Sequence, residues 1–275
     1  MEKKYDLTVA YRIYPKISCT PAIYGDDKYK LSEFCLKSFK ESLGNLKVKM
    51  IVLLDGCPPK YRELFLKYFD ESDIDFFELD KIGNLPTFSL QINLLLKQNY
   101  SEIIYFAEDD YYYHPNQFFE MIDFFNKNDD VDFITPYDHS DYYNRNIHNI
   151  KRYERMYNGR QWKTASSTCL TFLTSKKILD ETQNIFLTYQ KGNTDLGLWL
   201  SLTKSSLDPK IIIKSLNIYT IKSLYKTFVL TQDQIHNGKT WKLWFPIPTI
   251  ATHLEKEFIS PTINWENIVS KELNK

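Results

Sequence analysis

The sequence predicts an α/β fold in which a mostly parallel central sheet is flanked by helices. Through the first half of the chain, short apolar runs alternate with segments whose apolar residues recur at helical spacing. Such alternation is typical of parallel strands joined by crossover helices. Two of the apolar runs end directly at acids, Asp55 and Glu108. Because the carboxyl ends of parallel strands border the ligand crevice, both acids are expected at one edge of the sheet.

The first two strand–helix units are predicted from apolar runs followed by helical periodicity. Leu7–Tyr11 is the first predicted strand, and the helix that follows it is Tyr29–Leu43. Gly44 is a plausible helix stop, because glycine readily ends a helix. Met50–Leu54 is an apolar run suited to a strand buried on both faces, and Pro59–Phe69 is the next predicted helix.

Two further strands complete the regular half of the chain. Ile74–Leu79 is the third predicted strand, and the helix Leu85–Gln98 is entered after Asn84. Ile103–Ala107 is the fourth predicted strand. The alternation over these four units is the basis for the predicted parallel sheet.

The second half of the chain is less regular, and its predicted elements are fewer. Tyr137–Arg160 is polar and rich in tyrosine and asparagine. The predicted strands are Phe133–Thr135 and Ser166–Leu173, and the predicted helices are Lys176–Thr182 and Leu196–Leu202. No internal repeat or Gly/Ser linker interrupts the sequence, so residues 1–275 are interpreted as one domain.

Composition limits the classes of partner. Lysine plus arginine equals aspartate plus glutamate at 35 each, so no net field attracts the chain to nucleic acid or to an acidic membrane. The four cysteines, Cys19, Cys35, Cys57 and Cys169, lack the spacing of a zinc site. The charged N-terminus contains no apolar stretch long enough for a signal peptide or membrane span, which predicts a cytoplasmic protein. Peripheral contact with a membrane and the oligomeric state stay open.

Three consecutive acids follow the fourth predicted strand: Glu108, Asp109 and Asp110. A hard divalent cation such as Mg²⁺ or Mn²⁺ prefers carboxylate oxygens, and a turn between strand and helix can direct one or two of them at the ion. Such an ion would bridge a diphosphate. The alternative is that these are solvated loop acids preceding a helix that begins near Asn116.

The run IIYFAEDDYYYHPN, residues 103–116, resembles the DxD region of inverting GT-A glycosyltransferases of the large family-2 type. The resemblance covers approximately residues 5–205, and it implies a GT-A, Rossmann-like fold. By position before Pro115, it implies that Asp110 is a direct metal ligand and that Glu108 and Asp109 belong to the donor site. Glu108 departs from the family pattern, which has aspartate there.

The same resemblance assigns nucleotide contacts to the loops after the first two strands. It implies that Tyr11 stacks on the base, that Arg12 approaches the phosphates and that Asp55 accepts hydrogen bonds from ribose or base. Ordinary strand-end residues and a plain Asp-Gly turn explain the same positions. Asn84 is a further candidate for the donor site, with a helix N-cap as its alternative.

An acceptor hydroxyl needs a proton acceptor, and Asp195 in the segment GNTDLGLWLSL is the candidate. The segment resembles the acidic pair and following helix that carry the general base in family-2 enzymes. Thr194 and Ser201 depart from that pattern, since an acid and an arginine are common there. The alternative is that Asp195 simply caps the helix.

Signals toward the end of the chain are weaker. His253, in PTIATHLE, resembles a late histidine that supplies a metal ligand or a phosphate contact in some GT-A enzymes; a structural histidine is the alternative. A sugar-stacking platform is another hypothesis for Trp162, Trp241 and Trp244, with core packing as the commoner fate of tryptophan.

Together these features predict a metal-assisted transferase that moves a sugar from a UDP-, GDP- or dTDP-sugar to a hydroxyl of a glycan or glycoconjugate. Residues 1–115 are expected to bind the nucleotide sugar, and residues 116–275 the acceptor. A non-catalytic sugar- or nucleotide-binding module of the same fold is one alternative, and a nucleotidyltransferase is another. The nucleotidyltransferase is disfavoured, because the loop after the first strand lacks the glycines that grip a triphosphate.

Overall fold

The computed structural model describes residues 5–17, 20–205, 207, 209–215 and 218–273. Cys19 and the first four residues, which enter the sequence predictions, lie outside these ranges. The predicted parallel half of the sheet is confirmed. Its strands are β1 (Leu7–Ile13), β2 (Val48–Asp55), β3 (Ile74–Leu79) and β4 (Ile103–Ala107), which lie side by side in the order β3-β2-β1-β4.

Crossover helices join these strands as predicted. They are α1 (Lys28–Leu43), α2 (Lys60–Leu66) and α3 (Asn84–Lys97). The carboxylate of Asp27 caps α1 by accepting a hydrogen bond from the Lys30 N–H at 3.1 Å. Gly44 ends this helix with a φ of 54°, a backbone conformation that glycine adopts at low cost.

The second half of the chain extends the same sheet. Its strands are β5 (Tyr111–Tyr113), β6 (Phe133–Ile134), β7 (Glu154–Tyr157), β8 (Arg160–Ala165), β9 (Phe172–Ser175), β10 (Leu243–Ile247) and β11 (Ala251–His253). Within the described residues, the large sheet has the order β3-β2-β1-β4-β9-β6-β10-β8-β7, and β5 pairs separately with β11. Only β9 and β8 run against the other strands of the large sheet, so this sheet is mostly parallel.

Seven helices accompany these strands in the described part of the second half. They are α4 (Phe118–Lys127), α5 (Asp141–Asn144), α6 (Lys176–Phe186), α7 (Asp195–Thr203), α8 (Pro209–Ser215), α9 (Ile218–Asn237) and α10 (Trp265–Leu273). Short 3₁₀ helices cover Glu71–Asp73, Asn146–His148 and Leu187–Lys191. Across the ranges described, none of the helices combines the length and the apolar character needed to cross a membrane.

The predicted strand Ser166–Leu173 is mostly wrong. Residues 166–171 form an irregular buried segment, and β9 begins only at Phe172. The Thr168 hydroxyl donates to Thr135 Oγ1 at 3.0 Å, and Thr203 donates to the Ser166 carbonyl at 2.9 Å. The Thr203 hydroxyl therefore satisfies a buried carbonyl that a strand ladder would otherwise pair.

Of the strands in the described residues, five lie in segments for which the sequence predicts none: β5, β7, β8, β10 and β11. The polar segment up to Arg160 contains β7, and β8 follows it as the partner of β10. The aromatic run after the acids is β5, which pairs with β11 in antiparallel fashion. The β8–β10 partners lie 78 to 86 positions apart in the chain, and the β5–β11 partners lie 138 to 142 positions apart. Local patterns do not reveal pairings over such distances.

The hypothesis of a tryptophan platform is wrong. Trp162, Trp241 and Trp244 are all buried in the core. Phe124 stacks on Trp162 with ring centroids 4.1 Å apart, and Trp244 meets the same phenylalanine edge-on at 5.5 Å. These rings stabilise the packing of α4 on the sheet and are closed to a sugar.

Candidate functional site

A cleft of about 330 Å³ lies at the carboxyl edge of the parallel strands. Tyr11 is paired with Ala107 and Ile13 with Leu54, so β1, β2 and β4 end at nearly the same level. The chain therefore delivers polar residues from three strands to one edge. Six residues predicted from the sequence line this cleft: Arg12, Asp55, Asn84, Glu108, Asp109 and Asp110.

The acidic turn after β4 is held in a network of buried partners. Glu108 accepts from the Arg12 guanidinium at 2.5 Å and from the Thr171 hydroxyl at 2.9 Å. Asp109 pairs with the Lys28 ammonium at 2.8 Å, and burial raises the pKa of its carboxyl while Lys28 opposes that shift. The alternative of solvated loop acids is therefore wrong for these two residues.

Asp110 pairs with His253, the late histidine singled out from the sequence. The Asp110 Oδ2 atom lies 3.1 Å from His253 Nε2, and this contact forms where β5 and β11 run together. Burial alone would raise the pKa of Asp110, but the charge and hydrogen bond of His253, together with the charges of Lys28 and Arg12, outweigh burial and lower the pKa to about 2. Burial would lower the pKa of His253, yet Asp110 raises it to about 9.

The fit of a divalent cation rests on one atom of this pair. The other carboxylate oxygen, Asp110 Oδ1, is buried without a hydrogen-bond partner. Within the described ranges, no group of three or more His, Cys, Asp or Glu side chains could hold a metal alone. Mg²⁺ and Mn²⁺ commonly use one or two carboxylates together with substrate phosphates, so an unpartnered Asp110 oxygen suits such an ion. His253 could offer a nitrogen only after giving up the proton it shares with Asp110.

Arg12 and Asn84 form one unit with Glu108. The Arg12 guanidinium donates to the Asn84 side-chain oxygen as well as to Glu108. The Asn84 amide in turn donates to the Tyr189 hydroxyl at 3.0 Å. The N-cap alternative for Asn84 is wrong, because α3 starts at Asn84 and Gly83 occupies the cap position.

Asp55 organises the loop that leads into α3. Its two oxygens accept the backbone N–H groups of Ile82 and Gly83, at 2.7 and 2.8 Å. The carboxylate borders the cleft, but its principal partners are these amides. It is therefore more than a plain Asp-Gly turn residue, because it fixes one wall of the cleft.

Tyr11 does not face the cleft. Its ring is 1% exposed and packs in the core against Phe39 and Phe65, with centroids 5.8 and 5.3 Å away. Neighbouring strand residues point to opposite faces of a sheet, so Tyr11 and Arg12 diverge. The predicted base-stacking role of Tyr11 is therefore wrong, since no base could reach this ring.

Asp195 lies in the first turn of α7, and the cap of this helix is its neighbour. The Thr194 hydroxyl accepts from the Gly197 N–H at 3.1 Å, which contradicts the simple capping alternative for Asp195. Burial, reinforced by the negative charge of Glu108, raises the pKa of Asp195 to about 6. Asp195 is thus a carboxylate that can exchange a proton near neutral pH.

Asp195 borders a second pocket, of about 250 Å³, which meets the first cleft at the Asp110–His253 pair. His139, Cys169 and Glu255 also border this second pocket. His253 lines the second pocket and Asp110 lines the first, so the ion pair forms the wall between them. The predicted carboxylates therefore converge on one region of the molecule.

Three polar residues of this region were not predicted. They are Lys28, which pairs with Asp109, Thr171, which donates to Glu108, and Tyr189, which binds Asn84. Each of them lies far along the chain from its partner. Thr171 and Glu108 are 63 positions apart, Tyr189 and Asn84 are 105 apart, and Lys28 is similarly distant from Asp109. The one local signal was the position of Lys28 next to Asp27, at the start of a predicted helix.

Comparison with known proteins gives one family assignment. A family model described as "Glycosyl transferase family 2" matches residues 28–183, more than half of the chain. This segment includes Asp55, Asn84 and the three acids, whereas Asp195 and His253 follow it. No curated protein matches the chain.

Solved structures share the general architecture at low similarity. TarS 1–349 of S. aureus, in complex with UDP, is 13% identical with a TM-score of 0.43, over 71% of this chain and 54% of that one. A mannosyltransferase of Pyrobaculum calidifontis, in complex with GDP-Man and Mn²⁺, is 13% identical with a TM-score of 0.40, over 64% and 46%. A cytidylyltransferase of Leptospira borgpetersenii is 13% identical with a TM-score of 0.36, over 66% and 64%. The chain thus spans about half the length of the first two structures, and at these TM-scores the likeness carries no functional argument.

Proposed function

The chain belongs to glycosyl transferase family 2, and from this premise we propose that it transfers a sugar from a nucleotide-diphosphate sugar to an acceptor hydroxyl with inversion. One observation carries the finer proposal. A cleft lined by Asp55, Asn84 and the acids meets a second pocket that contains Asp195, and the Asp110–His253 pair separates them. The first cleft suits the donor and the second suits the acceptor, with a proton acceptor beside it.

The cationic side chains of the donor cleft differ in whether they are free to bind a phosphate. Arg12 is neutralised by the partly exposed carboxylate of Glu108, and Lys28 by the buried carboxylate of Asp109. Lys81 lines the cleft and makes no ion pair with any described residue. We therefore assign contact with the diphosphate to Lys81, while Arg12 positions Glu108 and Asn84.

Asp110, with its unpartnered oxygen, is the residue proposed to hold a divalent cation, Mn²⁺ or Mg²⁺, and His253 is proposed to assist it. When bound, such an ion would neutralise the negative charge that develops on the leaving diphosphate. The chain itself contributes the carboxylate of Asp110, which is held in the turn between β4 and β5. Asp109 and Lys28 keep that turn in place.

In the transfer step, Asp195 takes the proton of the acceptor hydroxyl. The acceptor oxygen forms a bond to the anomeric carbon, and the bond from that carbon to the diphosphate oxygen breaks. The diphosphate leaves with the electron pair. A single displacement of this kind inverts the anomeric centre, so one base on the acceptor side suffices.

The departures from the family pattern near Asp195 have structural explanations. Thr194 caps α7, and the buried Ser201 hydroxyl donates to the Leu198 carbonyl at 2.7 Å. Both hydroxyls therefore have a structural role in α7. Turnover with a sugar donor decides between the transferase and the alternative of a non-catalytic module of the same fold.

We expect a nucleoside diphosphate with Mn²⁺ to raise the melting temperature of the protein. A ligand that binds the folded state alone stabilises it by RT ln(1 + [L]/Kd), about 2.7 kcal/mol at a hundredfold excess over Kd. The measurement is a thermal-shift series with UDP, GDP, dTDP and CMP, each with and without Mn²⁺. If none of them changes the melting temperature, the transferase proposal fails.

We expect Asp110→Asn to abolish the part of this stabilisation that depends on Mn²⁺. The amide keeps the volume of the side chain but removes the negative charge, and hard cations prefer carboxylate oxygens. The matched control is Asp129→Asn, an exposed acid at the end of α4. An unchanged Mn²⁺ increment in Asp110→Asn would assign the ion to other residues.

A further inference from the structure

The first part of α9 has an inverted distribution of polar and apolar side chains. On the face that packs on the protein, the fully buried side chains are the hydroxyl residues Thr220, Thr227 and Thr231, and Leu224 and Leu230 are half-buried. The opposite face is apolar and open: Ile221 is 49% exposed, Tyr225 72%, Phe228 48% and Val229 52%. These four positions recur at helical spacing, so they form one continuous stripe. A helix of a water-soluble surface has the reverse arrangement.

Two lysines border the apolar stripe on one side. Lys222 and Lys226 follow Ile221 and Tyr225 by one position each, and both are exposed. Neither makes an ion pair with a described residue. Between Ile218 and Thr231 the helix contains these two cations and no acid. Apolar side chains flanked by unpaired lysines are complementary to a surface that has an apolar interior and anionic head groups.

The stripe is attached to the element that carries Asp195. The Thr194 and Ser223 hydroxyls lie 2.7 Å apart, and the Thr227 hydroxyl donates to the Asn193 side chain at 3.2 Å. The attachment therefore fixes the orientation of the stripe relative to the first turn of α7.

A largely apolar groove of about 640 Å³ lies beside this helix. Tyr225, Lys222, Lys226 and Leu196 are among the residues that line it. Leu196 also lines the pocket of Asp195, so the two cavities share a wall. The groove beside α9 therefore adjoins the second pocket.

We propose that this face of α9 is a docking surface for an anionic lipid membrane. The aromatic and aliphatic side chains of the stripe enter the interface between head groups and acyl chains, and Lys222 and Lys226 contact anionic head groups. Docked in this way, the protein presents the groove beside Leu196 to the bilayer. The inference stands on the surface itself and does not require the proposed transfer reaction.

The test is co-sedimentation of the full chain with vesicles, in the absence of any nucleotide. We expect binding to vesicles of phosphatidylcholine with phosphatidylglycerol, and clearly weaker binding to phosphatidylcholine alone. Tyr225→Ser combined with Phe228→Ser should weaken the partitioning by roughly tenfold or more. Lys222→Gln and Lys226→Gln should each weaken it by about fivefold at low salt.

Matched controls separate docking from general stickiness. Met156 on β7 is 66% exposed, and Lys97 at the end of α3 is exposed, so Met156→Ser and Lys97→Gln remove an apolar and a cationic group elsewhere. Both should bind vesicles as the unaltered chain does. The melting temperature of every variant is recorded, because the α9 positions are exposed and their replacement should leave folding intact.

Three results would overturn the proposal. The first is the absence of binding by the unaltered chain, and the second is binding that the α9 variants leave unchanged. The third is a dimer in solution that Phe228→Ser converts to a monomer, since a second copy would then cover the face. Because the vesicle assay contains no nucleotide, its failure would leave the donor-binding test of the proposed function untouched.

Discussion

Asp195→Asn is expected to lower the rate of sugar transfer by about 10²- to 10⁴-fold while donor binding persists. The amide cannot take the proton of an acceptor hydroxyl, and its shape is nearly that of the carboxylate. The donor cleft is lined by other residues, so the thermal shift with nucleotide and Mn²⁺ should remain. The first measurement is the rate of sugar transfer to an acceptor that the unaltered enzyme uses. The second is the melting temperature of the same preparation with and without nucleotide.

The pH dependence provides a second reading of the same variant. Burial and Glu108 raise the pKa of Asp195 to about 6, and the base functions only when ionised. In the unaltered enzyme, kcat/KM should therefore rise with pH through about 6 and level off above it. Asp195→Asn should lack this acidic limb in its residual activity.

A matched control is Asp180→Asn, which changes an exposed acid of α6. It should leave both turnover and the pH profile unchanged. Transfer at the unaltered rate in Asp195→Asn would refute the assignment of the base. Loss of donor binding in that variant would instead place Asp195 in the donor site.

The parallel half of the fold was predictable because its signals are local. The runs that became β2 and β4 are apolar on both faces, and each ends at an acid. Once the strands are taken as parallel, the meeting of Asp55 and Glu108 at one edge follows from topology alone. That step needs no knowledge of any distant contact.

The second half resisted prediction because its structure depends on distant pairings. β10 lies between β6 and β8, and the segments concerned are about eighty or more positions apart in the chain. The run from Ser166 is β-branched yet irregular, since its hydroxyls bind partners such as Thr135. Local propensity favours a strand in this segment, but hydrogen bonds to distant residues keep it irregular.

Predictions for individual site residues likewise succeeded at some positions and failed at others. Arg12 was placed near the phosphates by its position after the first strand, and the structure puts it in the cleft. Its neighbour Tyr11 was assigned to the base by the same argument, although side chains alternate between the faces of a strand. Because β1 continues through Ile13, both residues lie within the strand and point to opposite faces of the sheet. Treating Tyr11 and Arg12 as parts of one loop was therefore enough to misplace one ligand contact.

Arg12→Met is expected to lower the free energy of unfolding by about 3–5 kcal/mol. Arg12 is 8% exposed, and its guanidinium is shared between Glu108 and the Asn84 side chain. Methionine fills much of the space but leaves the Glu108 charge in a poorly solvated position with a single hydrogen bond, from Thr171. Urea denaturation, followed by circular dichroism, measures the change.

The double variant Arg12→Met, Glu108→Gln distinguishes a stranded charge from lost packing. Removing the carboxylate as well should recover a large part of the stability, because replacing both partners of a buried pair costs much less than removing one. Arg145→Met is the matched control: its pair with Asp141 is one helical turn apart and half exposed, and its loss should cost about 0.3–0.5 kcal/mol. If the double variant is no more stable than Arg12→Met, packing and not charge governs this position. If Arg12→Met costs no more than Arg145→Met, Glu108 finds another partner and the network around the donor cleft is adaptable.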